Sequence, residues 1–186
     1  MPVGSLRGRL LLAAPPLVDP NFDRTVIVLL EHNDEGALGV VLNRPSSTLL
    51  AEALPEWHAT AAPPAVAYIG GPVAPEALIG FARVVTSEPE AETFTPLFGR
   101  LGTVDLGRDP ATIPGLDKVR VFAGYAGWGP QQLEGELEAN AWIVADLDEG
   151  DPFDRDPGEL WRTVLIRQGG ELAILGKLYP DDVSLN

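Results

Sequence analysis

The stretch Val119-Arg120-Val121-Phe122-Ala123-Gly124-Tyr125-Ala126-Gly127-Trp128-Gly129-Pro130-Gln131-Gln132-Leu133-Glu134, continuing to Asp146, is the part of the chain whose reading decides the fold. Its apolar start reads as a buried strand. Gly124, Gly127 and Gly129 then read as a glycine-punctuated turn, because glycine enters backbone conformations other residues avoid and lets another backbone or a ligand approach closely. Pro130 is preset for the first turn of a helix. If Gly129 caps that helix, Gln132 reaches back to its N–H as half of a capping box. A short acidic helix and a second strand complete the stretch. On this reading Gly127 is needed for packing, and Gly127→Val is expected to unfold or aggregate the protein.

On the N-terminal side, Arg9 to Ala14 is a short apolar run that reads as a strand stopped by Pro15-Pro16, and Asp19-Pro20-Asn21-Phe22 is turn chemistry. Thr25 to Leu30 and Ala37 to Leu42 are apolar runs separated by Glu31-His32-Asn33-Asp34-Glu35-Gly36, which predicts an antiparallel hairpin with a longer loop. Ser46 or Ser47 is expected to cap a short helix ending at Pro55. Ala59 to Pro64 reads as a linker, and Val66 to Ile69 and Leu78 to Val85 as strands joined through Gly70-Gly71-Pro72-Val73. Glu88 to Arg100 fits a short helix or a loop, and Leu101 to Leu106 an edge strand. Beyond the central stretch, an acidic run from Asp146 to Asp156 leads into a helix with Asp156 at its N-cap, ended by Gly169-Gly170, and Leu172 to Leu175 reads as a last strand. Strands outnumber helices without alternating with them, which favours α+β over a doubly wound sheet.

A chain of 186 residues buries roughly 70% of the surface its unfolded form exposes, so residues 1–186 read as one domain. Zero cysteines exclude disulfides, thiolate metal sites and a cysteine nucleophile. No apolar run approaches a membrane span and the N-terminus has no secretory pattern, so a cytoplasmic protein is expected, with no membrane partner. A net charge of −14, with 13 Lys and Arg scattered among 27 acids, opposes direct contact with nucleic acid, whose affinity comes mainly from cations meeting phosphates.

Asp19-Pro20-Asn21-Phe22 with Arg24-Thr25-Val26, Glu31-His32-Asn33 with Gly36-Ala37 and Gly39, Leu42-Asn43-Arg44-Pro45, Gly70-Gly71-Pro72-Val73, and Gly124-Tyr125-Ala126-Gly127-Trp128-Gly129 leading into Gln132-Leu133-Glu134 and Trp142 together resemble the YqgE/AlgH family of small bacterial proteins. They occur in order over nearly the whole chain. The resemblance implies a single compact α+β domain whose mostly antiparallel, bifurcated sheet folds into a pseudo-barrel with a few short helices. Some members are labelled transcriptional regulators, and the family brings no settled catalytic residues to carry over.

The candidate binding cleft comprises Asn43, Arg44, Gly70, Gly71, Gly124, Tyr125, Gly127, Trp128 and Gly129. Amides at the turn after Gly129 suit an anion, but Glu134, Glu136 and Glu138 oppose one, and a tight packing turn is the other reading. Arg44 either clamps a carboxylate or phosphate or pairs internally with an acid, and Arg24 admits the same two readings. His32 reads as a turn residue or a metal or proton-transfer group. No serine sits in a nucleophile elbow, and the Asp146 to Asp156 run reads as a solvated loop. No catalytic residue, cofactor or metal is assigned. Two functions remain: a binding or regulatory module acting through an unknown protein or small-molecule partner, and an enzyme using that cleft on a small substrate.

Overall fold

A single strand of 13 residues, Leu116–Trp128, runs through the middle of the molecule and belongs to both halves of its sheet. The computed structural model describes residues 4–15, 23–86, 89 and 91–178. Within them the strands are β1 (Leu10–Ala13), β2 (Val26–Asn33), β3 (Gly36–Val41), β4 (Pro45–Leu49), β5 (Val66–Ile69), β6 (Val73–Val84), β7 (Phe94–Phe98), β8 (Leu101–Val104), β9 (Leu116–Trp128) and β10 (Trp142–Ala145). The helices are α1 (Leu50–Ala53), α2 (Gln132–Glu138), α3 (Leu160–Gln168) and α4 (Gly170–Leu178).

The sheet runs β10-β1-β2-β3-β9-β6-β8-β7, with β5 joined to β9 and β4 to β5. Every pairing between these strands is antiparallel except β5 with β9. The bifurcated, mostly antiparallel α+β architecture is therefore present, and the path is open, with β7 and β10 at its ends.

The expected glycine turn is instead strand. Ala126, Gly127 and Trp128 pair with Gly39, Leu38 and Ala37 of β3, whereas Phe122 and Ala123 pair with β5 on one side and β6 on the other. Gly124, at φ 78°, bends β9 where it exchanges these partners. The register against β6 slips there, and residues 74–77 bulge out of the ladder. The turn proper follows at Gly129 to Gln131, the latter left-handed at φ 63°. The Gly129 N–H donates to Gln132 Oε1 at 3.0 Å, the capping contact the sequence suggests.

Gly70 and Gly71 lie directly against this bend. Their Cβ atoms, if present, would fall 2.3 Å from the Gly124 carbonyl oxygen and 2.2 Å from that of Tyr125. A Cβ on Gly124 would meet the Gly71 oxygen at 2.5 Å. Two backbones thus cross with no room for a side chain.

Because β1 and β2 are covered on both faces, their apolar runs need not alternate. Leu10, Leu12, Val26 and Val28 join Tyr68, Phe122 and the Leu160, Trp161, Val164 and Leu165 face of α3. Leu11, Ile27 and Leu29 turn the other way, toward Trp128, Leu133 and Trp142 under α2. The hairpin of β2 and β3 forms with a shorter loop than expected, since the strands continue to Asn33 and Gly36.

Other readings change. Residues 45–49 form β4, and Ser46 Oγ donates to the Ala67 carbonyl at 2.5 Å instead of capping α1. Phe94–Phe98 is a strand and makes β8 internal. The 59–64 segment is packed: Trp57 is fully buried just before it, and Arg120 reaches into it. Leu172 to Leu175 belongs to helix α4, because Gly169 and Gly170, both at positive φ, fold α4 back on α3 and leave Leu172 and Leu175 facing the main core. Asp19 to Phe22 lies outside the described residues.

Nor is the acidic run simply solvated. Asp151 is buried, accepts two hydrogen bonds from Arg167 at 2.9 and 2.8 Å, and receives the Asp148 N–H at 2.8 Å. Glu149 accepts from the Arg100 backbone and guanidinium. Arg120, only 2% exposed, donates to the carbonyls of Ala62, Pro63, Pro152 and Asp154 and lies 4.3 Å over the Tyr68 ring. Burial disfavours its charge and lowers its pKa. Four carbonyl dipoles and an aromatic face replace the water it loses.

Candidate functional site

Where β2 begins and β3 ends, near the start of α3, a cleft of about 470 Å³ opens, lined in part by Arg24, Asn43, Arg44, Asp156, Trp161 and Arg162. Asn43 builds it. Its side chain accepts the Val26 N–H at 3.0 Å and donates to the Arg24 carbonyl at 2.9 Å, holding Arg24 at the left-handed φ of 52° beside the mouth. The Arg24 guanidinium lies 5.8 Å from the centre of the Trp161 ring, within cation–π range. Trp161 is fixed by its indole N–H on the Ala13 carbonyl at 2.9 Å. Arg44 donates to the Asp23 carbonyl at 3.2 Å, and Arg162 lies 3.6 Å from Glu159. The cleft therefore gathers three guanidinium groups, one aromatic ring and the acids Asp23, Asp156 and Glu159.

The residues proposed from sequence divide between two places. Asn43 and Arg44 line this cleft, whereas Gly70, Gly71 and Gly124 form the backbone crossing, whose contacts are with other backbone atoms. Tyr125 is half-buried against the main core. Trp128 is buried rather than at a rim, and its indole N–H donates to Glu136 at 2.8 Å. Gly127 and Gly129 are exposed, and a Cβ on Gly127 would meet nothing nearer than 3.7 Å. Packing therefore does not require glycine at 127, which removes the expectation that Gly127→Val unfolds the chain.

Two glutamates of α2, Glu134 and Glu136, which appear as bare negative charge in sequence, act as acceptors. Glu136 Oε2 takes the indole N–H of both Trp128 and Trp142 at 2.8 Å, and the two rings meet edge to face. Glu134 lies 2.7 Å from His32 Nε2. His32 is buried, and its Nδ1 accepts the Leu6 N–H at 2.9 Å, so the ring proton belongs on Nε2 and is donated to Glu134. That hydrogen bond holds the Glu134 pKa below the ordinary carboxylate range. Both imidazole nitrogens are thus occupied, so His32 is a structural connector between the N-terminal segment and α2. Among the described residues no group of three or more His, Asp or Glu is placed to hold a metal ion. Likewise, no helix among them is long and apolar enough to cross a membrane.

Two residues of the cleft were not singled out by sequence reasoning: Trp161 and Arg162. Trp161 reads there only as one member of an apolar helical face. Its part in the cleft follows from α3 packing across β1, which no local pattern records.

Residues 10–173 match a protein-family model described as AlgH-like. A UPF0301 protein of Streptomyces coelicolor is 46% identical over 188 residues, covering 99% of this chain and 97% of that protein. One from Thermobifida fusca is 43% identical over 196 residues, covering 98% and 96%. Among solved structures, a crystal structure of a protein from Corynebacterium diphtheriae superposes with a TM-score of 0.88 at 32% identity, covering 94% of this chain and 93% of the other. The solution structure of AlgH from Pseudomonas aeruginosa gives 0.68 at 34% identity, covering 97% and 99%.

Proposed function

From the premise that the chain belongs to the AlgH-like family, we propose that it is a non-catalytic binding module whose cleft takes an anionic group of a small molecule or protein partner. The observation that carries this reading is the convergence of Arg24, Arg44 and Arg162 beside the Trp161 ring. Guanidinium groups suit carboxylate and phosphate oxygens because they donate in a planar fork, and an aromatic face adds apolar contact. Asp23, Asp156 and Glu159 on the same rim limit its positive potential. One anionic group on a larger ligand suits the site better than a polyanion, which the net charge of −14 also repels. The engagement of both His32 nitrogens supports binding over proton-transfer chemistry.

A thermal-shift series with inorganic phosphate, nucleoside and sugar phosphates, amino acids and acidic peptides tests the reading. A ligand at about a hundred times its dissociation constant adds roughly 2.7 kcal/mol of stability. The shift is expected to fall in Arg44→Ala and in Arg24→Ala. An undiminished shift in both places the site elsewhere, and conversion of a bound compound to product replaces the binding module with an enzyme.

A further inference from the structure

On another part of the molecule an apolar groove of about 360 Å³ runs between α1 and the bulged end of β6. Its lining includes Ala67 and Ile69 of β5, Val121 and Ala123 of β9, Leu50 of α1 and Leu78 of β6. Alternation places it there: Tyr68 and Phe122 point into the main core, so Ala67, Ile69, Val121 and Ala123 face the other way. Nothing covers the outer end of that face among the described residues, where Ile69 is 48% and Leu78 47% exposed. Leu49 and Val73, from neighbouring strands, are exposed as well. A contiguous exposed apolar patch rimmed by polar residues is the form that protein interaction surfaces take.

The bulge that forms one wall is a built feature. It contains Ala74 at the left-handed φ of 45° and Pro75, and it exists because β9 changes partners at Gly124. Bulges recur where a strand must present side chains to a site. The backbone crossing of Gly70, Gly71 and Gly124 adjoins the groove through Ile69, Ala123 and Pro75.

Charge selects the occupant. From Pro45 to Ala82 the chain has no Lys or Arg, while Glu52, Glu56 and Glu76 are present and exposed. Glu52 adjoins the lining residue Ala53, and Glu76 stands between Pro75 and Leu78, so acids flank two separate walls. We infer that this groove docks a cationic amphipathic segment of a protein partner, whose apolar side chains enter between Leu50, Ile69 and Leu78 while its basic residues meet Glu52 and Glu76. The mode is that of an amphipathic helix in an apolar groove. It shares no lining residue with the arginine cleft, so either site stands if the other fails.

The test uses the full chain and a fluorescein-labelled helical peptide of leucines and lysines, followed by fluorescence anisotropy. Saturable binding is expected. It should weaken at least tenfold in Ile69→Ser combined with Leu78→Ser, and several-fold in Glu52→Lys combined with Glu76→Lys, whose salt dependence should also shrink. Arg44→Ala should leave it unchanged. Because the four groove substitutions lie on exposed side chains, circular dichroism and melting temperature are expected to match the parent protein. Equal binding of a peptide with glutamates in place of the lysines overturns the proposal, as does binding unaffected by the Ile69 and Leu78 pair, or no saturable binding. A concentration-dependent dimer in sedimentation that Leu78→Ser dissolves also overturns it, since a second copy would then fill the groove.

Discussion

Two glycine-bearing regions, the crossing of Gly70-Gly71 on Gly124 and the segment from Gly127 through Glu136, are held by different physics. At the first, the backbones are in contact and any Cβ falls within 2.5 Å of another residue's main chain. At the second, Gly127 and Gly129 stand open, and side chains do the fastening: Glu136 on two indoles, Glu134 on His32 and Gln132 on the Gly129 N–H. Glycines close together in sequence can therefore be strictly required at one position and replaceable three residues later. What separates them is the proximity of a second strand, which is a tertiary fact.

The largest effect is expected at the crossing. Gly71→Ala and Gly124→Ala should each cost about 3 kcal/mol or more in urea unfolding, since the added carbon meets backbone that cannot move aside and both residues sit at positive φ. Near-normal stability in both variants would dissolve the distinction. Next, Glu136→Ala leaves two buried indole donors without their acceptor and should cost about 2–4 kcal/mol, whereas Glu136→Gln keeps an acceptor oxygen and recovers much of the loss. Equal losses in the two variants would mean that packing, not hydrogen bonding, fastens α2.

A smaller, pH-dependent effect is expected at Glu134. Its folded pKa is depressed by the hydrogen bond from His32, so the associated stability is present above the ordinary carboxylate value of 4.5 and is lost as pH falls through the folded value. Glu134→Gln should therefore be less stable than the parent at pH 7, and the gap should close with acidification below that range. A gap independent of pH would assign the contribution to shape alone. Smallest of all, Gly127→Val is expected to change stability by no more than about 0.5 kcal/mol, because the position is exposed and in strand geometry. Unfolding of that variant would restore the turn reading and equate the two regions.

Much of the fold is legible without coordinates. The runs Thr25 to Leu30 and Ala37 to Leu42 announce a buried hairpin, and the Gln132 cap is written in the residues themselves. The misreadings share one cause. Gly124 to Trp128 resembles a turn because glycine permits one, yet pairing with β3 makes it strand. Leu172 to Leu175 has the composition of a short strand, yet folding back on α3 makes it helix. In the candidate cleft, Asn43 and Arg44 stand out beside a strand end, whereas Trp161 is hidden inside an amphipathic pattern that explains it equally well as core.

By itself the sequence determines the α+β class, the family, most of the strands and a net charge of −14. These rest on composition, local periodicity and contiguous motifs, which the chain carries in one dimension. Only the tertiary structure decides that β9 changes partners at Gly124, that glutamates of α2 receive indole and imidazole hydrogens, and that arginines from the segment before β2, the link between β3 and β4, and α3 share one cleft. Each of those depends on which distant backbone or side chain comes within hydrogen-bond or van der Waals distance, and that is set by packing of the whole chain.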